Sequence, residues 1–180
     1  MKKLLTSFLL ILVGLTQSTS QNLNTQYEET SITFKIKNFG LYVDGSFSEF
    51  KVNANFDKTN ISNSYFSGTA VIGSIDTGNK TRDKHLQKLE YFNSTEFPAI
   101  TISSNSIQKK DDGGYEFIGE LSIKGKTQKL SFPFTIEENS EGIIARGTFS
   151  INRLDFKIGD SSFVLNKKVQ VALTYVGHFN

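Results

Sequence analysis

Apolar residues return at every second position in segment after segment of this 180-residue chain, and a period of two admits β-strands and little else. Ile32, Phe34 and Ile36 alternate with Thr33, Lys35 and Lys37; Phe50, Val52, Ala54 and Phe56 repeat the pattern after a bend expected at Gly45. Tyr115 to Ile123, Leu130 to Ile136, Ile143 to Ile151 and Val169 to Tyr175 do the same. One dry and one wet face per segment is the signature of half-buried antiparallel strands. Asp111-Asp112-Gly113-Gly114 and Lys124-Gly125-Lys126 read as tight turns, where glycine supplies a positive φ. Pro133 has no N–H to offer a neighbouring strand, which places it at an edge or a bulge. Strands joined in this way build an antiparallel barrel or a sandwich.

One stretch, Thr77 to Pro98, breaks the alternation and reads as a short helix over about 80–92. Asn79 or Thr81 can cap its start, Asp83 suits the positive end of the helix dipole, and Pro98 ends the segment. At 100° per residue, Arg82, His85, Leu86, Leu89 and Phe92 share one stripe, while Asp83, Lys84, Gln87 and Glu90 point elsewhere. Two readings follow. Arg82 and His85 lie at the edge of a buried face, the arginine stem running past the leucines; or the helix covers an apolar space and presents a cation at its mouth. Ser67 to Ile75 is apolar on both faces in places, as a strand covered by that helix would be.

Phenylalanine is used sixteen times, tryptophan never and methionine once. The phenylalanines share their alternating face with Gly119, Ala145 and Gly147, small residues that either let strands bend in a packed core or leave room for a ligand. The chain opens with Lys2 and Lys3, an apolar run from Leu4 to Leu15, and Ser18-Thr19-Ser20. That is the layout of a signal peptide over 1–20, too short to span roughly 30 Å of hydrocarbon. A single domain over 21–180, exported to a bacterial periplasm or secreted, with no membrane span after cleavage, is the expectation. There is no cysteine, and hence no disulfide, thiolate ligand or lipid-modified cysteine. The whole chain holds 20 basic and 18 acidic residues, so removing Lys2 and Lys3 leaves the charges balanced. A net basic footprint for nucleic acid or an anionic membrane is absent.

The sequence carries no recognisable catalytic constellation. The two histidines, His85 and His178, are far apart in the chain, the second near its end and expected to be solvated. No nucleophile elbow, phosphate-cradling glycine loop or metal-binding histidine pair is present. Arg82 and Asp83 are adjacent on a helix and point about 100° apart, so a shared task is not expected. Arg153 and Asp155 fall on one side of an extended segment and are expected to form an ion pair. No catalytic residue, no metal and no cofactor are assigned.

Four motifs, in order, carry a resemblance. They are Asp44-Gly-Ser-Phe-Ser-Glu-Phe; Ser74-Ile-Asp-Thr-Gly-Asn-Lys-Thr-Arg-Asp-Lys-His-Leu with Glu90-Tyr-Phe-Asn and Phe97-Pro; Gly119-Glu-Leu-Ser-Ile-Lys-Gly-Lys-Thr; and Asn152-Arg-Leu-Asp-Phe-Lys-Ile-Gly. Together they resemble the YceI-like, polyisoprenoid-binding family over nearly the whole exported chain. Lys157 stands where that family usually has glycine, and Thr30 and Asn38 align to places where many members carry histidine.

The resemblance implies an all-β, extended eight-stranded antiparallel lipocalin-like barrel with one inserted helix. It also implies a non-catalytic protein holding an isoprenoid or similar amphiphilic lipid inside. The barrel wall is then assigned to Phe34, Phe47, Phe50, Phe117, Phe132, Phe134 and Phe149, and the polar end or lid to Arg82, His85, Leu86, Leu89 and Phe92. Burying ~20 carbons at about 0.8 kcal/mol per CH₂ gives a gross term above 10 kcal/mol, against an association cost of roughly 4–15 kcal/mol. The alternatives are a scaffold whose barrel is filled by side chains, and an exported enzyme acting on an amphiphile through His85, Asp83 or Asp155. An exposed edge strand or an apolar mouth would allow a homodimer, although no residue run argues for one.

Overall fold

The computed structural model describes residues 23–179, so the signal peptide expected at 1–20 lies outside the described residues. The chain forms β1 (Leu23–Thr25), β2 (Ser31–Asn38), β3 (Leu41–Phe47), β4 (Phe50–Asn55), β5 (Tyr65–Val71) and β6 (Ile75–Asp76). After α1 (Lys80–Leu86) come β7 (Ala99–Lys109), β8 (Tyr115–Ile123), β9 (Lys126–Glu138), β10 (Gly142–Asn152) and β11 (Leu165–Phe179). All pairings are antiparallel. The sheet runs β4-β5-β7-β8-β9-β10-β11-β2-β3-β6, with β1 paired to the far end of β11. Only Ser48 and Glu49 separate β3 from β4, so the sheet curls until its ends meet along one bent run of chain. Val71 N–H donates to Glu49 O (2.9 Å) and Ser48 N–H to Ser74 O (3.3 Å), stitching that bend.

Among the described residues eleven strands replace the eight expected, because β1 and β6 are only three and two residues long and β3 and β4 are halves of one bent strand. The bend lies at Ser48–Glu49 and not at Gly45. Gly45 sits inside β3 opposite Phe34, where a Cβ would run into the Phe34 ring. Pro133 pairs with Glu116 of β8, one residue beyond the point where the β9–β10 ladder stops at Phe134 and Gly147. Its missing N–H therefore costs no bond to β10. Beyond that point β10 has no ladder to β9, and Phe156 and Ile158 pack against Leu121, Ile123 and Leu130.

The barrel has two ends of different character. At the end carrying the β7–β8 and β9–β10 turns, Phe56, Tyr115, Phe117, Phe132, Phe134 and Tyr175 join one buried cluster with Ile107 and Ile143. The Phe117 and Phe132 rings stack with centroids 4.8 Å apart, and Phe56 meets Tyr115 edge-on at 5.4 Å. Gly147 serves this cluster, since a Cβ there would come 2.7 Å from the Phe132 ring. The small inward residue makes room for a neighbouring ring. The other end, under α1, is not filled. His178, expected to be solvated, is instead a half-buried ladder residue facing Asn24 and Gly142.

Candidate functional site

The cap chemistry at α1 organises the open end. The Asn79 side chain accepts from Thr81 N–H (3.1 Å) and Arg82 N–H (3.0 Å), so Asn79 is the cap. Asp83 falls in the first turn as expected but does not point to solvent; it is buried, and its Oδ1 accepts from Thr77 N–H (2.9 Å) and Thr77 Oγ1–H (2.6 Å). Arg82 reaches the same residue, donating from Nε to Thr77 Oγ1 and from Nη2 to Thr77 O, both at 2.7 Å. The adjacent pair thus converges through a third residue that helical spacing alone did not single out. Thr77 orients the guanidinium, and Arg82 is among the residues lining the cavity described below.

The helix stops at Leu86, six residues short of the expected end, where Gln87 turns the chain and its N–H bonds His85 O. Leu89 is consequently exposed and off the stripe. Phe92 returns through a turn, its N–H donating to Leu86 O at 3.0 Å. Leu86 and Phe92 pack on Phe47, Ala70 and Ile75, so the helix covers the strand it leaves. The His85 ring meets Tyr91 edge-on at 4.9 Å.

Arg153 was expected to pair with Asp155, and it does not. Residues Arg153–Phe156 form a short 3-10 turn, in which i and i+2 diverge, and Asp155 instead accepts from Asn152 Nδ2 at 2.8 Å. Arg153 turns inward and is buried. It donates to four backbone carbonyls: Asn166 O (3.0 Å), Ile158 O (2.6 Å), Asp160 O (2.8 Å) and Leu165 O (3.2 Å). Burial lowers its pKa from the ordinary arginine value, with Tyr91 and Asp160 opposing that shift.

Between these elements lies a cavity of about 340 Å³, within the range of small-molecule sites. Its walls are aliphatic and aromatic side chains of β2, β7, β8, β10 and β11. Phe34, Phe47 and Phe149 line it, as do Arg82, His85, Leu86 and Phe92. Phe50, expected in the wall, packs against the cluster of Phe47, Ala70 and Ile75 and is not among the lining residues. Phe117, Phe132 and Phe134 belong to the filled end and line a separate void of about 100 Å³. His85 is exposed while lining the cavity, so the cavity opens beside it. The lining includes Arg82, His85 and Arg153 but no aspartate or glutamate. Sequence reasoning missed Thr77, Tyr91 and Arg153 as members of this site.

A family profile described as YceI-like domain matches residues 23–176. The chain belongs to the YceI-like family. A UPF0312 protein of Yersinia enterocolitica is 30% identical over 135 residues, 74% of this chain and 68% of that one. A UPF0312 protein of Pectobacterium carotovorum is 29% identical over 155 residues, 81% and 79%. Among solved structures, Burkholderia cenocepacia BcnA superposes with a TM-score of 0.81 at 22% identity, covering 85% of this chain and 99% of that chain. A polyisoprenoid-binding domain from Saccharophagus degradans, implicated in plant cell wall breakdown, gives 0.66 at 11% identity over 89% and 99%. At these identities the two structures speak to the fold.

In this YceI-like chain the places aligned to the family's histidines carry no imidazole. Thr30 is buried, its Oγ accepting from Val176 N–H at 3.1 Å, and Asn38 lines the cavity. Among the described residues no group of three or more His, Asp or Glu is placed to hold a metal ion. No helix among them is long and apolar enough to cross a membrane.

Proposed function

We propose that the chain is an exported carrier or sequestering protein that holds one amphiphile, an isoprenoid or similar lipid with an anionic head. The observation that carries this reading is the composition of the cavity: apolar walls, with Arg82 and His85 in the lining at its exposed side and no aspartate or glutamate among the lining residues. Arg153 is committed to four backbone carbonyls, so Arg82 and His85 are the cations left to meet a head, and a cation beside an apolar space favours a phosphate or carboxylate over an alcohol. The polyisoprenoid-binding neighbour supports the class of tail. Phe34, Phe47 and Phe149 would touch that tail, Leu86 and Phe92 would cover it, and Arg82 and His85 would meet the head. The reading is one of binding without turnover.

Thermal melts with a polyprenyl phosphate and the polyprenol of the same length test this. At a hundredfold excess over Kd, binding adds about 2.7 kcal/mol. For a chain of this size that raises Tm by roughly 5–11 °C. The phosphate should give the larger shift, and Arg82→Ala should remove the difference. Equal shifts for phosphate and alcohol, or an unchanged preference in Arg82→Ala, would refute the head-group assignment.

A further inference from the structure

The balanced charge of residues 23–179 conceals a separation from end to end. The turns at the filled end carry Glu28 and Glu29, between β1 and β2, Asp111 and Asp112 between β7 and β8, and Glu141 between β9 and β10, while Glu137 and Glu138 beside it pair with Arg146 at 2.7 Å and Lys58 at 2.9 Å. The open end carries Lys37, Lys157, Lys167 and Lys168 on the β2–β3 hairpin and on the segment leading into and along β11. The acids on these open-end segments are fewer: Asp44 is tied to Lys35 at 3.4 Å, leaving Asp155 and Asp160.

The same end exposes apolar side chains that join none of the buried clusters. Phe39 and Leu41 at the hairpin tip are about three-quarters exposed, and Phe163 on the neighbouring loop is wholly exposed. Phe39 N–H donates to Val164 O at 2.9 Å, and Asn38 stands opposite Leu165, so the two tips form one surface. Asn38 and Leu165, directly beneath that surface, line the cavity. Scattered apolar side chains need no explanation; a joined patch fringed by lysines at the open end of an apolar cavity does.

We propose that this rim docks the protein on an anionic bilayer, Phe39, Leu41, Phe163 and Val164 entering the head-group region while the lysines meet lipid phosphates. The charge pattern selects this occupant. A second copy packed two-fold through the same rim would bring lysines against lysines, whereas an anionic lipid surface complements them and orients the molecule with its acidic end outward. Docking of this kind lies on the membrane without spanning it. It goes beyond the identity of the cavity's occupant, since the rim would dock whichever amphiphile is held.

The test is flotation of the exported protein with vesicles of phosphatidylcholine alone or with one-quarter phosphatidylglycerol. It is run on wild type, on the double variant Phe39→Ser/Phe163→Ser and on Lys167→Glu/Lys168→Glu, each checked for an unchanged Tm because these side chains are exposed. Wild type should partition to the anionic vesicles, each variant should lose about tenfold or more of that affinity, and added salt should weaken it. Undiminished binding by the variants, or no preference for anionic vesicles, would overturn the proposal. So would dimerisation abolished by Phe163→Ser in a protein that ignores vesicles. A protein that floats but carries no amphiphile would sink the carrier reading alone, and one that carries amphiphile but does not float would sink this one alone.

Discussion

Replacing Arg153 by methionine should loosen the whole segment that borders the cavity. The guanidinium holds Ile158, Asp160, Leu165 and Asn166 through four carbonyls, beside single bonds such as Gly159 N–H to Glu90 O and Phe39 N–H to Val164 O that tie the segment at its flanks. A charge-assisted hydrogen bond contributes about 1.5–3 kcal/mol, and a buried carbonyl left without a partner costs about 1–3 kcal/mol. Removing the charge also removes its desolvation cost, which offsets part of the loss. The net expectation is a destabilisation of roughly 2–4 kcal/mol, or a fall in Tm of roughly 4–16 °C. Arg153→Lys keeps the charge but lacks the fork, and should recover less than half of the deficit. Urea melts of the three proteins, with hydrogen exchange at 157–166, would measure this. A loss below about 1 kcal/mol, or full rescue by lysine, would refute the claim that carbonyl clamping is what fixes this segment.

Three further outcomes are expected. Asn79→Ala removes the cap of α1 and should cost about 1 kcal/mol, read as a Tm fall of roughly 2–4 °C; no change would mean the cap is redundant. Phe117→Ala opens the filled end and should cost about 3–5 kcal/mol while leaving amphiphile affinity within about twofold of wild type. An affinity loss as large as that from Phe149→Ala would contradict the division into two ends. Asp57 has its pKa lowered to about 2, chiefly by the Thr59 hydroxyl and next by the Asn60 N–H. Its folded carboxylate stays ionised at pH values where the unfolded one, near 3.9, protonates. The stability it contributes is therefore present above about pH 4 and lost as pH falls towards 2. The Tm gap between wild type and Asp57→Asn should close over that window, and a gap constant from pH 6 to 2 would exclude this role.

The strands and their turns were legible because alternation and glycine placement are local and strong, and because each strand buries only one face. The start of α1 was legible in Asn79 for the same reason. Its end was not: Leu89 and Phe92 continue the helical stripe in sequence, but the chain turns at Gln87, so periodicity alone could not tell a stripe that continues from one that breaks. The phenylalanines show a different limit. Alternation correctly puts Phe134 and Phe149 on the inner face, yet depth along the barrel separates ring packing from cavity wall, and depth is a property of strand register. Arg153 and the charged ends lie further out of reach. The first depends on a 3-10 turn that replaces an extended segment, the second on turns brought together from distant parts of a chain whose total charge cancels.

The most direct test of the account is the mass of the native protein itself. The exported form, purified without detergent, is sprayed under native conditions and any adduct extracted into solvent and identified. One stoichiometric amphiphile with an isoprenoid or acyl tail and an acidic head is the predicted result, lost on widening the apolar wall with Phe149→Ala or removing Arg82. A bare protein mass that stays bare after incubation with polyprenyl phosphates and fatty acids would contradict it, and the cavity beneath α1 would then be space without an occupant.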